Sequence, residues 1–138
     1  MILYADTSAL AKLVIEEVGS SDVRAAQQSA ETIATAAIGY VELRAAAAAA
    51  VRAGRMQARE LVRAVELLWN EVSPIDIDFQ LLRLAGDMAE RFGLRGYDAV
   101  HLAALQSAGP PDVVVFSCWD ADLRRAAVSL GYALLPAA

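Results

Sequence analysis

ILYADTS, at residues 2–8, is the most informative segment for predicting the fold. It reads as a short buried strand, ILYA, that runs directly into the start of a helix. Asp6 therefore falls at the carboxyl edge of a predicted sheet, which is where open α/β folds bind their ligands. A carboxylate in that position is the first candidate for a functional residue.

The rest of the chain alternates helical and strand patterns. We expect Thr7 or Ser8 to cap the first helix, Gly19 to end it and Gly54 to close the Ala-rich third helix. Alternation of this kind predicts an α/β fold, in which helices cover both faces of a mainly parallel sheet of 4–5 strands. After the first strand, helices are predicted over 8–17, 21–30, 36–53, 55–71, 78–92, 97–107 and 120–130, and strands over 31–35, 72–76, 112–116 and 132–135.

Length and composition indicate one domain, residues 1–138. Of the 138 residues, 57% are hydrophobic and the mean hydropathy is +0.40, which supplies ample apolar material for a core. The longest apolar run, 45–51, is far shorter than the ~20 residues that cross a bilayer, and no leader pattern precedes the first strand. We therefore expect a cytoplasmic protein with no membrane association. The single cysteine, Cys118, excludes an internal disulfide and a multi-thiol zinc site.

The charge balance argues against broad adhesion to nucleic acid. The net charge is −5 and the pI about 4.8, whereas nonspecific binding draws on many phosphate-neutralising cations. Lys12 is the only lysine and the other basic residues are all arginines, which donate the better fork of hydrogen bonds to phosphate. A small, selective contact with nucleic acid stays compatible with this composition.

Four carboxylates form the candidate site. Asp98 and Asp120 begin predicted helices, as Asp6 does, and Glu42 interrupts a mostly apolar helix. An acidic pocket without a neutralising lysine suits a hard divalent cation, and paired cations promote phosphodiester cleavage. The competing interpretation is that the aspartates only cap helices. Each such cap stabilises the protein by ~1 kcal/mol. Glu42 discriminates between the two, because an acid on that apolar helix has few structural reasons to be there.

Three polar residues near these acids are further candidates for the site, each with a structural explanation as well. His101 follows Asp98 by one helical turn and could act as a general base, but its apolar surroundings favour a supporting or packing role. Ser8 could donate a hydrogen bond to a ligand carboxylate or to a phosphate, or simply cap a helix. Arg95, in a glycine-flanked loop, could contact phosphate, although a solvated loop charge explains it as well.

Four motifs together resemble the PIN-domain ribonucleases, in particular the VapC-type toxins of bacterial toxin–antitoxin pairs. They are DTSAL at 6–10, Glu42, YDAVHLA at 97–103 and WDADL at 119–123, and they span nearly the whole chain. The motif at 97–103 is the most specific of them. The resemblance implies a PIN-like three-layer α/β/α sandwich.

The resemblance also implies the chemistry and the partners. It makes Asp6, Glu42, Asp98 and Asp120 the catalytic, metal-binding acids of an Mg²⁺- or Mn²⁺-dependent endonuclease that cuts RNA, with Ser8 lining the site. It further implies a homodimer and inhibition by a cognate, VapB-like antitoxin protein. Where family members commonly carry Thr shortly before the last acid, this chain has Ser117 followed by cysteine.

Two further classes compete with a nuclease. One is a non-catalytic PIN-like protein that keeps the acids but acts by binding a partner or RNA. The other is a phospho-acceptor, either a receiver-like switch or a phosphatase. A receiver needs paired acids near the amino terminus and a late lysine, and a phosphatase needs a second carboxylate where Ser8 stands, so both fit poorly.

Overall fold

A computed structural model describes residues 1–137 of the chain. Within that range it has five strands and seven helices. The strands are β1 (Ile2–Ala5), β2 (Thr32–Ala36), β3 (Val72–Ile75), β4 (Val114–Ser117) and β5 (Ala133–Leu135). The helices are α1 (Thr7–Val14), α2 (Ser20–Ser29), α3 (Gly39–Arg52), α4 (Ala58–Glu71), α5 (Phe79–Phe92), α6 (Gly96–Ala108) and α7 (Ala121–Ser129).

The five strands form one sheet in the order β3-β2-β1-β4-β5, and every neighbouring pair is parallel. β1 lies in the centre, and the chain adds strands first on one side of it and then on the other. This reversal of direction opens a crevice beyond the carboxyl ends of the central strands, where ligands of open α/β sheets bind. Asp6, which directly follows β1, lies at that edge.

Helices cover both faces of the sheet and bury a separate apolar cluster on each. One cluster joins Ala5, Ile33 and Val72 of the sheet to α1, α3 and α4. The other joins Tyr4 and Phe116 to α5, α6 and α7. Because both faces are covered, β1 can be apolar without alternation, as is usual for parallel sheets. The predicted three-layer α/β/α sandwich with a parallel central sheet is confirmed.

Several element boundaries differ from the prediction at turns. Asp6, rather than Thr7 or Ser8, is the N-cap of α1, and α1 ends at Val14, so Gly19 precedes α2 instead of ending α1. Residue 36 belongs to β2 and not to the third helix.

Two further boundaries also lie later than predicted. After Gly54 the chain runs through a turn, so α4 starts at Ala58 instead of residue 55. β4 starts two residues late because the carbonyl of Pro110 accepts hydrogen bonds from the amides of Val113 and Val114, which holds the preceding residues in a turn. Within residues 1–137, no helix is long and apolar enough to span a bilayer.

Candidate active site

Asp6 is fixed by the first turn of the helix it caps. Its Oδ1 accepts hydrogen bonds from the Ala9 amide at 3.1 Å and from Ser8 Oγ at 2.6 Å. Its backbone N–H donates to the Ser117 carbonyl at the end of β4. The side chain is buried, with 6% of the residue exposed. Asp6 thus performs the predicted capping role through one carboxylate oxygen, and Oδ2 receives no hydrogen bond from an N–H or O–H group of the described residues.

Ser8 links Asp6 to the last acid of the site. Its Oγ, which donates to Asp6, also accepts a hydrogen bond from the backbone amide of Trp119 at 3.0 Å. The next residue, Asp120, caps α7 with Oδ1, which accepts from the Leu123 amide at 2.9 Å. One serine hydroxyl therefore spans the gap between the end of β1 and the start of α7.

Asp98 lies in the first turn of α6 and does not cap it, because Arg95 is the N-cap residue. Its Oδ2 accepts a hydrogen bond from Arg95 Nε at 3.1 Å. The pKa of Asp98 is raised, mainly because the carboxyl is buried. The hydrogen bond from Arg95 lowers this pKa, whereas the negative charge of Asp120 raises it further. Arg95 also places Nη2 3.8 Å from Asp120 Oδ2, so a single guanidinium lies against both carboxylates.

Glu42 sits in the first turn of α3 and faces the same region. Its Oε1 accepts a hydrogen bond from Thr7 Oγ1 at 2.9 Å and lies 2.7 Å from Nε2 of His101. Burial raises the pKa of Glu42, but the hydrogen bond and charge interaction with His101 and the bond from Thr7 outweigh burial and leave it below its ordinary value. The structure thus gives this acid two specific partners.

Hydrogen bonds, one ion pair and short stretches of backbone connect the four acids in a closed ring. From Glu42, a hydrogen bond leads to Thr7, which is adjacent to Asp6. From Asp6, the hydroxyl of Ser8 leads to Trp119, which is adjacent to Asp120. Arg95 then joins Asp120 to Asp98. One turn of α6 then leads from Asp98 to His101 and back to Glu42. The chain thereby connects the segments that follow β1 and β4 with residues of α1, α3 and α6, and the acids do not lie on separate surfaces.

The chemistry of the ring fits a hard cation, although its present geometry is not that of a bound one. In the described part of the chain, no three Asp, Glu, His or Cys side chains form a ready metal-binding group, and a guanidinium lies between two of the acids. Each acid nevertheless commits only one oxygen to hydrogen bonds from N–H and O–H groups of residues 1–137. Four carboxylates with a second oxygen left over are a donor set suited to Mg²⁺ or Mn²⁺.

Ser117 and Cys118 occupy the stretch before the last acid. Ser117 is fully buried, and its Oγ has no hydrogen-bond partner among residues 1–137. The Cys118 Sγ accepts from the Asp120 amide at 3.3 Å, and burial together with the nearby charge of Asp6 raises the pKa of the thiol. The thiol therefore stays protonated and is a poor metal ligand or nucleophile.

Sequence reasoning missed two contributors to the site, Thr7 and Tyr4. Thr7 was a candidate cap, but its hydroxyl binds Glu42. Tyr4 reads as an ordinary strand residue, and its hydroxyl lies 2.9 Å from Nδ1 of His101. Periodicity could not identify either, because it shows which residues are buried and not what a buried hydroxyl contacts. Lys12 pairs with Glu17 at 3.0 Å and does not complete a receiver-like site.

Comparisons with known proteins agree with this architecture. The family model for the PIN domain matches residues 3–128. The chain is 35% identical over 139 residues to "Ribonuclease VapC45" and "Ribonuclease VapC49" of Mycobacterium tuberculosis strains CDC 1551 / Oshkosh and H37Rv, respectively; each match covers 99% of this chain and 96% of the relative.

A third relative and a solved structure extend the comparison. "Ribonuclease VapC46" of Mycobacterium tuberculosis H37Rv is 29% identical over 96% of this chain and 95% of its own length. The crystal structure of PAE2754 from Pyrobaculum aerophilum superposes with a TM-score of 0.67 at 20% identity, covering 91% of this chain and 79% of that one, which supports the fold. From the family match and the full-length relatives together, the chain belongs to the PIN domain family and is of the VapC type.

Proposed function

We propose that the protein is a metal-dependent endoribonuclease and the toxin component of a type II toxin–antitoxin pair. The observation that carries the proposal is the closed ring of contacts that gathers Asp6, Glu42, Asp98 and Asp120 at the carboxyl edge of the sheet. Membership of the VapC-type PIN family supports RNA as the substrate. A simple set of helix caps does not account for Asp98 or Glu42, since neither caps a helix.

The four acids would hold Mg²⁺ or Mn²⁺ through the oxygens that their protein hydrogen bonds leave over. A divalent cation bound there supplies an activated water and neutralises charge on the phosphate during in-line displacement. The chain's own contribution is orientation, because Ser8 and the Ala9 amide fix the carboxylate of Asp6, and Thr7 and His101 fix that of Glu42. Preset ligands reduce the reorganisation that cation binding requires.

Arg95 is the best placed residue to contact RNA. Two-thirds of its side chain is exposed, and its guanidinium lies against Asp98 and Asp120. With Asp98 and Asp120 engaged by a cation, the Arg95 guanidinium would be free to form a bidentate contact with a phosphate. We expect Arg95→Gln to raise KM for RNA. Arg91→Gln, in the last turn of α5, is the control. An unchanged KM contradicts this role.

The direct test compares the parent with carboxylate-to-amide variants on purified, antitoxin-free protein. Incubation with total RNA in Mg²⁺ or Mn²⁺ should give products that a chelator abolishes. Asp6→Asn and Asp98→Asn should remove cleavage, by at least about 100-fold if each ligand contributes a few kcal/mol. Asp87→Asn, at an exposed position of α5, is the matched control and should cut as the parent does.

The alternative function, non-catalytic binding, is the other outcome of that experiment. A protein that binds RNA or its partner but gives no chelator-sensitive product would be a PIN-like binding protein. Either Asp6→Asn or Asp98→Asn cutting at the parental rate would show that the roles assigned to those acids are wrong. Sequencing the RNA ends would then identify the target and the position of the cut.

The proposed function includes two kinds of protein partner. We propose a cognate, VapB-like antitoxin, and a groove of about 310 Å³ between α3 and α4 offers an apolar floor with basic edges that suits an acidic amphipathic segment. Ala47, Val51, Leu61 and Val65 are among its apolar residues, and Arg44 and Arg52 supply the charge. We also propose a homodimer from family membership, and light scattering that shows only monomer at micromolar concentration would contradict it.

A further inference from the structure

His101 is the only histidine in the chain, and it is closed off from solvent. Only 2% of the residue is exposed, and its α6 neighbours, from Ala99 to Leu105, are buried with it. A general base must come within hydrogen-bonding reach of the proton that it removes, directly or through one water. An imidazole packed in this way faces the protein on both nitrogens and is poorly placed for that role.

The two ring nitrogens have different partners. Nε2 lies 2.7 Å from Oε1 of Glu42, and Nδ1 lies 2.9 Å from the hydroxyl of Tyr4. The same hydroxyl oxygen accepts a hydrogen bond from the Ala36 amide at 3.1 Å. Because that amide uses the oxygen as an acceptor, the phenolic hydrogen is available to Nδ1.

These contacts select one tautomer of the imidazole. Because the Ala36 amide donates to the Tyr4 oxygen, the Tyr4 hydroxyl donates its own hydrogen to Nδ1 at 2.9 Å. Nδ1 is then an acceptor, and the ring hydrogen resides on Nε2, where it points at Glu42. The order of donors is therefore Ala36 N–H to Tyr4, Tyr4 O–H to His101, and His101 N–H to Glu42.

The hydrogen bonds to Glu42 are concentrated on one of its oxygens. Thr7 Oγ1 donates to Oε1 at 2.9 Å, and His101 also reaches Oε1. Oε2 receives no hydrogen bond from residues 1–137. Two donors on one oxygen restrict rotation of the carboxylate and leave the other oxygen available.

We propose that Tyr4 and His101 form a positioning relay that orients Glu42 so that Oε2 is presented to the cation of the active site. The cation rests on the proposed function, whereas the relay itself is a property of the metal-free protein. His101 is in this account a positioning residue, and it neither accepts a proton from substrate nor binds the cation. Loss of a partner that orients a ligand in this way typically weakens metal affinity by about 10–100-fold.

The relay joins four elements of the fold. It begins at the end of β2, crosses the central strand β1 at Tyr4, and reaches α3 through α6. The ring of Tyr4 is fully buried and packs edge-on against His101 and at a tilt against Phe116. The relay therefore ties Glu42 to the centre of the sheet.

The first test reads the tautomer directly by nitrogen-15 NMR. Since the protein has one histidine, its two imidazole nitrogens can be assigned without ambiguity. The metal-free parent should show a protonated Nε2 and an unprotonated Nδ1 near neutral pH. Tyr4→Phe should mix or reverse this pattern, whereas Tyr132→Phe, which removes a hydroxyl that donates to the Gly109 carbonyl, should not. A parent with the hydrogen on Nδ1 overturns the relay.

The second test measures Mn²⁺ affinity by calorimetry. We expect His101→Ala to weaken Mn²⁺ binding by about 10–100-fold, and Tyr4→Phe to weaken it by less. His101→Gln should recover much of the loss, because its side-chain amide can donate to Glu42. The Tm of each variant separates lost orientation from lost folding. Equal Mn²⁺ affinity of the parent and folded His101→Ala overturns the proposal.

The same variants distinguish positioning from general-base catalysis. A base role predicts that His101→Gln is as inactive as His101→Ala while both bind Mn²⁺ normally, and that result also overturns the proposal. Failure of the proposed function looks different, since the parent itself then gives no chelator-sensitive RNA product. The NMR result holds or fails independently of that outcome.

Discussion

The hydroxyl of Ser8 lies 2.6 Å from Oδ1 of Asp6 and holds that carboxylate against the start of α1. Because the same hydroxyl accepts from the Trp119 amide, Ser8→Ala removes a bond to a carboxylate and leaves a backbone donor without its partner. We expect a loss of about 1–3 kcal/mol in the free energy of unfolding, measured with urea. Cleavage of RNA should fall further than stability alone explains, since Asp6 and Asp120 lose their link.

Ser29→Ala is the matched control for that variant. Its Oγ makes one hydrogen bond, to the Ala25 carbonyl, and the residue is exposed on α2. Exposed substitutions of this kind usually change stability by less than about 0.5 kcal/mol. Equal effects of the two substitutions would mean that Ser8 is an ordinary helix residue.

Gly19 is required by the indole of Trp119. A Cβ at this position would lie 2.6 Å from Cζ2 of the indole, and the backbone φ is +94°. Gly54 provides a control at φ +73°, because a Cβ there meets no atom within 4 Å. Gly54→Ala should cost about 1–2 kcal/mol of backbone strain, and Gly19→Ala about 1–3 kcal/mol more, for the clash.

The experiment for this pair is urea unfolding, followed by an RNA cleavage assay on the folded fraction. Trp119 precedes Asp120, so displacement of the indole should also lower cleavage in Gly19→Ala and not in Gly54→Ala. If the two variants lose equal stability, the indole has room to move and the close approach is unimportant.

Two acids of the ring should affect stability in opposite ways as pH changes. Asp98 has a raised pKa, so its stabilising contribution is present below its ordinary pKa of about 3.9 and is lost as pH rises through the folded value. Glu42 has a lowered pKa, so its contribution is present above about 4.3 and is lost as pH falls through the folded value.

The prediction is tested by urea unfolding of Asp98→Asn and Glu42→Gln in chelator between pH 3 and 7. Relative to the parent, Asp98→Asn should gain stability as pH rises, and Glu42→Gln should lose it. Parallel curves for the two variants would contradict the opposite environments of these carboxylates. Asp87→Asn, on the exposed side of α5, should follow the parent throughout.

Substitutions at Ser117 test whether its buried hydroxyl has a structural or a functional role. Its Oγ is buried without a partner in residues 1–137, so Ser117→Ala should be neutral or slightly stabilising in urea unfolding. Ser117→Thr adds a methyl group to a fully buried position and should cost about 1–3 kcal/mol. If Ser117 supplies the hydroxyl that family members commonly provide with Thr, Ser117→Ala cuts RNA more slowly despite its stability. If Ser117→Ala cuts RNA at the parental rate, the hydroxyl has no role in cleavage.

Much of the fold was predictable because its signals are local. The apolar run at 2–5, the Ala-rich helix at 39–52 and the glycines at turns each specify an element, and alternation of strands and helices specifies a parallel sheet. The boundaries were less accurate, because caps and turns depend on single hydrogen bonds such as those of the Pro110 carbonyl.

The acids of the candidate site could be predicted from the sequence, but most of the contacts in the site could not. Asp6, Asp98 and Asp120 stand at helix starts and could be found from sequence, and Glu42 stood out on an apolar helix. The contacts of Tyr4 with His101, and of Arg95 with two acids, join residues that are distant in sequence or exposed in a loop. No periodic pattern encodes such pairings, since they arise only when the sheet brings its edges together.

The central position of β1 has a consequence for translation. β1 pairs with β4, which the ribosome makes more than 100 residues later, and Asp120 follows β4. At roughly 5–20 residues per second, a nascent chain carries its first acid for several seconds before the last one is synthesised. Products that stop before Asp120 therefore carry an incomplete set of acids, and if all four acids are required, as proposed, such products do not cut RNA.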